Sequence, residues 1–365
     1  MLAKKTPFYD KHVAAGGKMV EFAGYELPVQ FRGIIPEHRR VRSTVGVFDV
    51  SHMGRLEVSD GEAEPWLNHL TTNDVTALAT NQAQYSVLCY PDGGIIDDLV
   101  VYRLADRFLL VVNGANSTRD FAWLRQHASP GVKLENVTEE TAQLAVQGPK
   151  AEAVLARLSS VDLSAIAFYW SLEGEIAGVP ALISRTGYTG EDGFELYFAR
   201  ENAAEVWDAL FEAGRAEEIE PIGLGARDTL RMEMKYALYG NDIDQTTNPL
   251  EAGLGFVVKL DKPEGFVGDN ALRRVNEERP RRRLVCLEMD GAGIPRPHHE
   301  IYAGAEKVGA VTSGTMSPSL NKGIALAYVA RRHAKADSAL EMDIRGRRLP
   351  ATVVRPPFYK QGSRK

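Results

Sequence analysis

The sequence predicts an α+β protein, with antiparallel sheets in its body and an all-β domain at its C-terminal end. The stretch AQYSVLCYPDGGIIDDLVVYR, residues 83–103, contains two apolar runs joined by a Pro-Asp-Gly turn, which is typical of a β-hairpin. Strand and helix patterns do not alternate regularly in the first part of the chain, and this disfavours a doubly wound parallel sheet. After about residue 275, the pattern changes to short strands separated by turns.

Local patterns predict the remaining elements of the body. Thr6 and Pro7 suit the N-cap and first position of a short helix that ends at glycines. Another helix is predicted from about Ala226 to Gly240. Further strands are predicted in GRLEVS, RFLLVVNG and LISRTGYTGEDGFELYF, and further helices in DGEAEPWLNHL, STRDFAWLRQHA and ENAAEVWDALFEAGRA.

The change of character near residue 275 predicts two parts, a body over residues 1–275 and a β-barrel domain over residues 282–362. Between them, RRVNEERPRRR (residues 273–283) is charged and interrupted by proline, which predicts a linker. Short strands of a barrel or sandwich are then predicted in LVCLEM, KVGAVTSG, GIALAYV, LEMDI and LPATVV.

Composition excludes several classes of protein. A chain of 365 residues with a formal charge of −6 and a pI near 5.8 is a poor candidate for nucleic-acid binding, which requires a basic surface. Cys89 and Cys286 have no CxxC spacing, which excludes a zinc ribbon and a disulfide framework, and we expect both to be buried thiols. No stretch approaches the roughly 20 apolar residues of a membrane span. Because the start, MLAKKTPFYDKH, lacks a secretory signal, we expect a cytoplasmic protein with no membrane partner.

Several common catalytic motifs are absent from the sequence. No Walker A segment is present, and no GxGxxG motif follows a strand and opens a helix. HExxH and GxSxG motifs are also absent, and the pair His298-His299 is interpreted as part of a solvated turn. We therefore expect no metal site, no nicotinamide site and no serine triad.

Carboxylates, tyrosines and arginines instead occur together in three segments. Asp97 and Asp98 adjoin inside an apolar strand, so either the strand is an edge with two wet faces or one aspartate points into a site. In RTGYTGEDGFELY (residues 185–197) the glycines allow close approach to a flat ligand, although a polar hairpin tip has the same composition. Arg227 and Arg231 share a helix face, where neighbouring acids could simply neutralise them.

These residue types suit a ligand with a guanidine-like hydrogen-bonding edge and an anionic tail. A carboxylate pairs with an amide or amine edge, and arginine matches carboxylates. A reduced pterin with a glutamate tail, a purine and an arginine derivative all meet this description, so the choice among them stays open at this point.

Taken together, the segments are more specific than any one of them. VGVFDVSHMGRLEV, GGIIDDLVVYR, LAVQGPKA, RTGYTGEDGFELY, GLGARDTLRMEMKYALYGNDID, NPLEAGL and TSGTMSPSLNKGIALAYV occur in the order found in the glycine cleavage T-protein family. The sequence resembles this family of aminomethyltransferases over essentially its whole length, from about Thr6.

The resemblance implies a three-domain cloverleaf, with two interleaved α+β folate-binding domains, a C-terminal β-barrel and tetrahydrofolate in the central hole. It implies an enzyme that takes an aminomethyl group from the lipoylated H protein of the glycine cleavage system. The carbon passes to tetrahydrofolate as co-substrate, giving 5,10-methylenetetrahydrofolate, ammonia and dihydrolipoyl H protein. No metal and no flavin are implied.

The resemblance also assigns site residues. It matches Asp97 to the family's catalytic acid beside the folate nitrogens, so we expect Asp97 to face the central hole and Asp98 to point away in a structural role. It matches Glu195 to the carboxylate on the amine edge of the pterin, Tyr188 to a pterin contact and Arg227 to a further folate-binding position.

Four weaker matches complete the expected folate pocket. Met53, Tyr85 and Asn113 lie in matching segments and are expected to line the pocket. A C-terminal aromatic near the folate in relatives corresponds to Tyr359. Phe256 stands where relatives often have tryptophan, a change that keeps stacking but removes an indole hydrogen bond.

Two alternatives and one partner surface complete the sequence-based predictions. A related folate-dependent demethylase is the alternative enzyme, and a folate-binding protein of iron–sulfur assembly is disfavoured because its cysteine motif KGCYxGQE is replaced here by RTGYTGEDGFE. The basic cluster Arg273, Arg274, Arg281, Arg282 and Arg283 is predicted either to dock an acidic H protein or to be a solvated linker.

Overall fold

The computed structural model describes residues 3–364, which form eight α-helices and 20 β-strands. The strands of the body are β1 (Lys4–Lys5), β2 (Lys18–Phe22), β3 (Tyr25–Gln30), β4 (Gly46–Asp49), β5 (Gly54–Ser59), β6 (Ala83–Cys89), β7 (Ile95–Arg103), β8 (Phe108–Val112), β9 (Lys133–Asn136), β10 (Thr141–Gln147), β11 (Ser171–Ile176), β12 (Val179–Ser184), β13 (Gly193–Ala199) and β14 (Glu220–Pro221). Those of the C-terminal domain are β15 (Arg282–Met289), β16 (Glu300–Ala303), β17 (Glu306–Ser317), β18 (Lys322–Ala330), β19 (Ala339–Ile344) and β20 (Arg347–Val354). The helices are α1 (Tyr9–Ala14), α2 (Ile34–Ser43), α3 (Ala63–Leu70), α4 (Ser117–Gln126), α5 (Ala151–Leu155), α6 (Ala203–Ala213), α7 (Leu224–Glu233) and α8 (Asp269–Glu278).

The body contains a small three-stranded sheet, β1-β3-β2, and two larger sheets that are interleaved along the chain. A six-stranded sheet has the order β11-β12-β13-β10-β4-β14, and a five-stranded sheet has the order β6-β7-β8-β5-β9. The chain makes β4 in the first sheet, leaves to build the whole second sheet, and returns with β10. Apart from the short β14–β4 pairing, these neighbours are antiparallel, so the predicted α+β class with two interleaved domains is confirmed.

The C-terminal strands close into a barrel, β15-β18-β17-β16-β19-β20. Alternate side chains of these strands, such as Leu287, Val329 and Val353, fill its interior. The predicted all-β C-terminal domain is therefore confirmed as a barrel. Over residues 3–364, the helices are all too short or too polar to cross a membrane.

The two sheets of the body pack against each other beside the centre of the molecule. Tyr102 and Val111 of the five-stranded sheet share a buried cluster with Leu182 and Tyr197 of the six-stranded sheet. The hydroxyl groups of Tyr102 and Tyr197 are hydrogen-bonded at 3.1 Å, which satisfies both in the apolar contact. This contact sets the position of one sheet relative to the other.

The charged stretch predicted as a linker is largely helical. α8 covers Asp269–Glu278 and β15 begins at Arg282, so only residues 279–281 join the two. Leu272 is fully buried in a cluster with Cys89 and Ile95, and this apolar contact stabilises the helix despite its charged exposed face. The linker prediction gave too much weight to the surface charges.

The helix predicted to end at Gly240 is also shorter. α7 ends at Glu233, and Lys235 adopts a left-handed φ of 59°. Arg231 stabilises the exit from the helix, because its guanidinium donates to the carbonyl of Tyr236 at 3.1 Å. The released segment then runs along the central cavity.

Arg231 also ties the body to the barrel. Its side chain is buried and pairs with Asp242 at 2.6 Å and with Asp228 at 2.8 Å. It donates to Ser313 of β17 at 2.9 Å, while Thr312 donates to Asp242 at 2.5 Å. These polar contacts join α7 to the barrel beside the apolar contact between the same two elements.

Replacing Arg231 should strongly destabilise the fold. Arg231→Met leaves the buried Asp242 carboxylate without its cation, so the free energy of unfolding is expected to fall by about 3–5 kcal/mol. Urea unfolding measures this. Arg332→Met, which removes an exposed pair with Glu306, is the matched control and should change the free energy of unfolding little, because water screens exposed charges. Equal losses in the two variants would contradict the assigned role.

Candidate active site

A cavity of about 660 Å³ lies where the two sheets of the body meet the segment that follows α7. Its volume falls within the range of roughly 300–1,000 Å³ typical of small-molecule sites. The five-stranded sheet, the six-stranded sheet, α7 and the segments 234–238 and 253–257 all contribute to its wall. The polar side chains in the wall therefore come from elements far apart in the sequence.

Asp98 on β7 lines the cavity. Its carboxylate accepts hydrogen bonds from the Tyr85 hydroxyl and from Asn113 Nδ2, both at 2.8 Å. Burial, and then the neighbouring charge of Asp97, raise the pKa of Asp98 to about 7. Near neutral pH this carboxyl group can therefore both accept and return a proton.

Asp97 lies on the other face of β7, fully buried and outside the set of residues that line the cavity. The expectation that Asp97 faces the central hole while Asp98 points away is wrong. The reason is a β-bulge: Cys89 pairs with Ile95 but Leu88 pairs with Asp97, so Ile96 is an extra residue. This bulge breaks the alternation that would have put Asp97 on the same face as Ile95.

Glu195 on β13 lines the cavity as well. One oxygen accepts from Gln143 Nε2 at 3.0 Å and the other from the Thr186 hydroxyl at 2.6 Å. Burial raises the pKa of Glu195, and these two hydrogen bonds oppose that effect. A carboxylate has about four acceptor sites, so Glu195 can still accept from a ligand.

Arg227 on α7 brings a positive charge into the cavity wall. Its guanidinium carbon lies 4.8 Å from the ring centre of Tyr188, whose hydroxyl donates to the carbonyl of Ala237. Among residues 3–364, the ion pairs of α7 involve Arg231 and Glu233, and no acidic side chain pairs with Arg227. Arg227 is therefore a half-buried cation that lines the cavity and has no acidic partner within the described residues.

Met53, Tyr85 and Asn113 line the cavity too, as the sequence predicts. Phe256 joins them, and its ring stacks on Tyr85 with a centroid distance of 6.4 Å and an interplanar angle of 19°. Phe256 is 66% exposed, which places this stacked pair at the mouth of the cavity.

Comparisons with known proteins agree with this geometry. Residues 8–262 match the family model "GCVT N-terminal domain", and residues 282–360 match "Glycine cleavage T-protein C-terminal barrel domain". The chain belongs to the glycine cleavage T-protein family. It is 48% identical over 360 residues to the aminomethyltransferase of Desulfitobacterium hafniense, covering 98% of each chain, and 49% identical over 362 residues to that of Geobacillus kaustophilus, covering 99% of this chain and all of the relative.

A solved member of the glycine cleavage T-protein family has the same architecture. The crystal structure of glycine cleavage system aminomethyltransferase T from Bartonella henselae superposes with a TM-score of 0.93 and 32% identity, over 100% of both chains. Because the full-length relatives are named aminomethyltransferases, the alternative of a folate-dependent demethylase is not favoured.

Tyr359 is the one folate-binding residue expected from the family resemblance that does not line the cavity. Its ring lies under Arg42, with the guanidinium carbon 4.1 Å from the ring centre, and its N–H donates to the carbonyl of Glu233 at 3.0 Å. Arg42 pairs with Glu233 and Glu191 at 2.8 and 2.9 Å. In this structure Tyr359 therefore covers a buried ion-pair network.

Several residues of the site were not predicted from the sequence, among them Gln143, Tyr236 and Arg364. Gln143 holds Glu195, and its signal was a polar residue at a buried position of the apolar strand TAQLAVQ. Tyr236 stacks on Tyr188 at 5.4 Å and receives a hydrogen bond from Arg364 at 2.6 Å. Arg364 also lines the cavity, and no pattern in the sequence points to it.

Within residues 3–364, no group of three or more histidine, cysteine, aspartate or glutamate side chains is arranged to hold a metal ion. The two cysteines, Cys89 and Cys286, are both free and buried. The polar groups that line the cavity are carboxyl, amide, phenol, hydroxyl and guanidinium groups, together with the amino group of Lys235.

Glu233 should make stability depend on pH. Burial disfavours its charge, but His38 and Arg42 outweigh this effect and lower the pKa of Glu233 to about 2. A lowered carboxyl pKa adds stability above the unfolded value near 4.5, and that stability is lost as the pH falls towards 2. Glu233→Gln is therefore expected to lower the free energy of unfolding by about 3 kcal/mol at pH 7.

The difference in the free energy of unfolding between Glu233→Gln and the unchanged protein should become smaller as the pH falls below about 4.5. Urea unfolding at a series of pH values from neutral to acid measures it. Glu306→Gln removes an exposed carboxylate and serves as the control. A difference that stays constant over this pH range would contradict the ionised state assigned to Glu233.

Proposed function

We propose that the central cavity is the site where the chain, an aminomethyltransferase, transfers the methylene carbon of an aminomethyl group to tetrahydrofolate. The donor is the lipoyl arm of the glycine cleavage H protein, and the products are 5,10-methylenetetrahydrofolate, ammonia and dihydrolipoyl H protein. The observation that carries this proposal is the position of Arg227, which forms no ion pair with residues 3–364, in a cavity that also presents the carboxyl groups of Asp98 and Glu195.

The residues of the cavity fit tetrahydrofolate. Glu195 presents carboxylate acceptors to the amine and amide edge of the pterin, held in place by Gln143 and Thr186. Arg227 suits an anionic or carbonyl group of the same ligand, because its guanidinium lines the cavity and arginine matches carboxylates and other oxygen acceptors. Tyr188 and Met53 add apolar wall for a flat ring.

Tetrahydrofolate supplies the nitrogen nucleophile that takes the carbon. The protein must orient that nitrogen, exclude competing water and accept a proton from it. Asp98 is the carboxyl group placed for this, since it lies in the cavity wall and its pKa lies near 7. The catalytic role expected for Asp97 is therefore proposed for Asp98.

The reaction needs no flavin, because the transferred carbon keeps its oxidation state. The lipoyl arm must reach the cavity from outside, and the stacked pair of Phe256 and Tyr85 marks the open side. We place the chain in the cytoplasm, where two free buried cysteines such as Cys89 and Cys286 are common.

The basic cluster at the body–barrel junction, Arg273, Arg274, Arg281, Arg282 and Arg283, is the proposed docking surface for an acidic H protein. Arg282 pairs with Glu251 at 2.8 Å, and Arg273 lies 3.7 Å from Asp269. The other three are exposed or half-exposed and form no ion pair within residues 3–364. The Glu251 segment continues to the cavity wall at Gly253, so a protein bound here would lie close to the cavity.

Asp98→Asn should remove most of the turnover. The amide cannot accept the proton, so kcat is expected to fall by about 10²- to 10⁴-fold while tetrahydrofolate still binds. The assay measures ammonia and methylenetetrahydrofolate formed from aminomethylated H protein, and fluorescence titration measures folate binding. Asp106→Asn, which removes an exposed carboxylate at the end of the same sheet, is the control. A normal rate for Asp98→Asn would refute the assignment, and transfer without ammonia release would favour the demethylase.

Charge reversal tests the docking surface. The triple variant Arg274→Glu, Arg281→Glu and Arg283→Glu should raise the KM for H protein at low salt, because complementary charge speeds association. The increase should shrink at high salt, since salt screens exposed charges. A variant with Arg345, Arg347 and Arg348 changed to Glu, on another part of the barrel, is the control. An unchanged KM in the first variant at low salt would rule out this surface.

A further inference from the structure

Behind the cavity wall, Asp97 and Asp120 are two buried carboxyl groups that the proposed reaction does not use. We infer that they form a carboxylate–carboxylic acid pair, in which ionised Asp97 and protonated Asp120 hold Asp98 ready to exchange a proton at neutral pH. This inference rests on the proposed function, in which Asp98 contacts the substrate. Asp97 and Asp120 are then positioning residues, which act through Asp98.

Three N–H donors keep Asp97 ionised. Its carboxylate accepts from the backbone N–H of Asn113 at 2.9 Å, from Asn113 Nδ2 at 2.8 Å and from Asn116 Nδ2 at 2.6 Å. Each of these donors stabilises the charged form, which burial alone would disfavour. Asp97 is fully buried, so this charge is screened very little by solvent.

Asp120 on α4 has the opposite environment. It is fully buried, and within residues 3–364 neither of its oxygens receives a hydrogen bond from an N–H or O–H donor. Arg119 Nε lies 3.5 Å from one oxygen, and this ion pair is weakened because the Arg119 side chain is 40% exposed. Asp120 lies one helical turn after Asn116, whose amide donates to Asp97, so α4 brings the two carboxyl groups together. Burial and the charge of Asp97 raise the pKa of Asp120 to about 10.

Two carboxyl groups in contact share one proton, because both cannot be ionised at short distance. The proton belongs on Asp120, since the amide donors surround Asp97. Asp120 then donates its own proton to Asp97, which satisfies an oxygen that otherwise has no partner. The pair therefore carries one negative charge, located on Asp97.

Asn113 connects this charge to the cavity. Its Nδ2 group donates to Oδ1 of Asp97 and to Oδ1 of Asp98, at 2.8 Å in each case. A single amide thus fixes the Asp98 carboxyl group and holds it next to a like charge. That charge raises the pKa of Asp98, second only to burial. Without the charge of Asp97, the pKa of Asp98 would be lower. Asp98 would then stay ionised at neutral pH and would not hold a proton long enough to return it.

The other groups that face the pair do not cancel its charge. Arg119 is the cation nearby, and its side chain is 40% exposed, donates to the carbonyl of Ile96 and lies over the ring of Tyr239. Tyr239, near the pair, is uncharged at neutral pH, as are Tyr85 and Tyr188, which face Asp98, because burial raises the pKa of all three phenols. The cavity cation Arg227 faces Tyr188 and Glu195.

A carboxyl titration of the full-length chain tests this inference. Aspartate labelled with ¹³C at Cγ reports each carboxyl group by NMR, and the Asp98 signal is the one lost in Asp98→Asn. Asp97→Asn removes the like charge next to Asp98. The midpoint of the Asp98 titration should therefore fall by roughly 1–2 pH units. The acid limb of the pH–rate profile should move in the same direction, with Asp106→Asn as the control. An Asp98 midpoint that stays in place, or that rises, would overturn the inference.

Asp97→Asn also sets an amide opposite the N–H of Asn113, which can unfold the chain. A second measurement avoids this variant. In the unchanged protein at pH 7, one aspartate should show the chemical shift of a protonated acid, and Asp120→Asn should abolish that signal while leaving the Asp98 midpoint in place. An ionised Asp120, or an Asp98 midpoint moved by Asp120→Asn, would refute the pair. The NMR spectra do not require the enzyme to turn over. If the protein did not catalyse aminomethyl transfer, the proposed function would be refuted, while the spectra would still test the Asp97–Asp120 pair.

Discussion

The cost of burying charge organises this molecule. Arg231, Glu233 and Asp97 are deeply buried, and each is compensated inside the protein by ion pairs or several hydrogen bonds. Arg227 and Glu195 are different, because the first has no internal ion pair and the second keeps acceptor sites that face the cavity. The compensated charges connect sheets, helices and barrel, whereas the incompletely compensated ones define a place for a polar ligand.

The cavity exists because the chain is interleaved. Asp98 comes from the inserted five-stranded sheet, Glu195 from the six-stranded sheet and Arg227 from a later helix. Their separation depends on the contact between the sheets at Tyr102 and Tyr197 and on the anchoring of α7 to the barrel. Reaction geometry tolerates errors of well under about 1 Å, so these distant packing contacts matter as much as the side chains that line the cavity.

Much of the fold could be predicted from the sequence because turn chemistry and apolar periodicity are local signals. The Pro-Asp-Gly hairpin and the all-β character of the C-terminal part are examples. Local signals failed where a tertiary contact determines the secondary structure. The buried side chain of Leu272 stabilises a helix in a stretch that was predicted to be a linker. Arg231 stabilises the end of a helix that was predicted to be longer. Six predicted pocket residues do line the cavity, but the resemblance, and not composition, selected most of them.

The faces of β7 show most clearly what a sequence leaves undetermined. Strict alternation places Asp97 with Ile95, and a single extra residue at Ile96 reverses which aspartate meets the cavity. A bulge depends on how the partner strand pairs. The sequence of the bulged strand alone therefore does not reveal it. Its effect here is to give adjacent aspartates separate tasks: Asp98 meets the cavity, while Asp97 receives the amide groups of Asn113 and Asn116. The two carboxyl groups are still close, and Asn113 offsets their repulsion because its amide lies between them and donates to both.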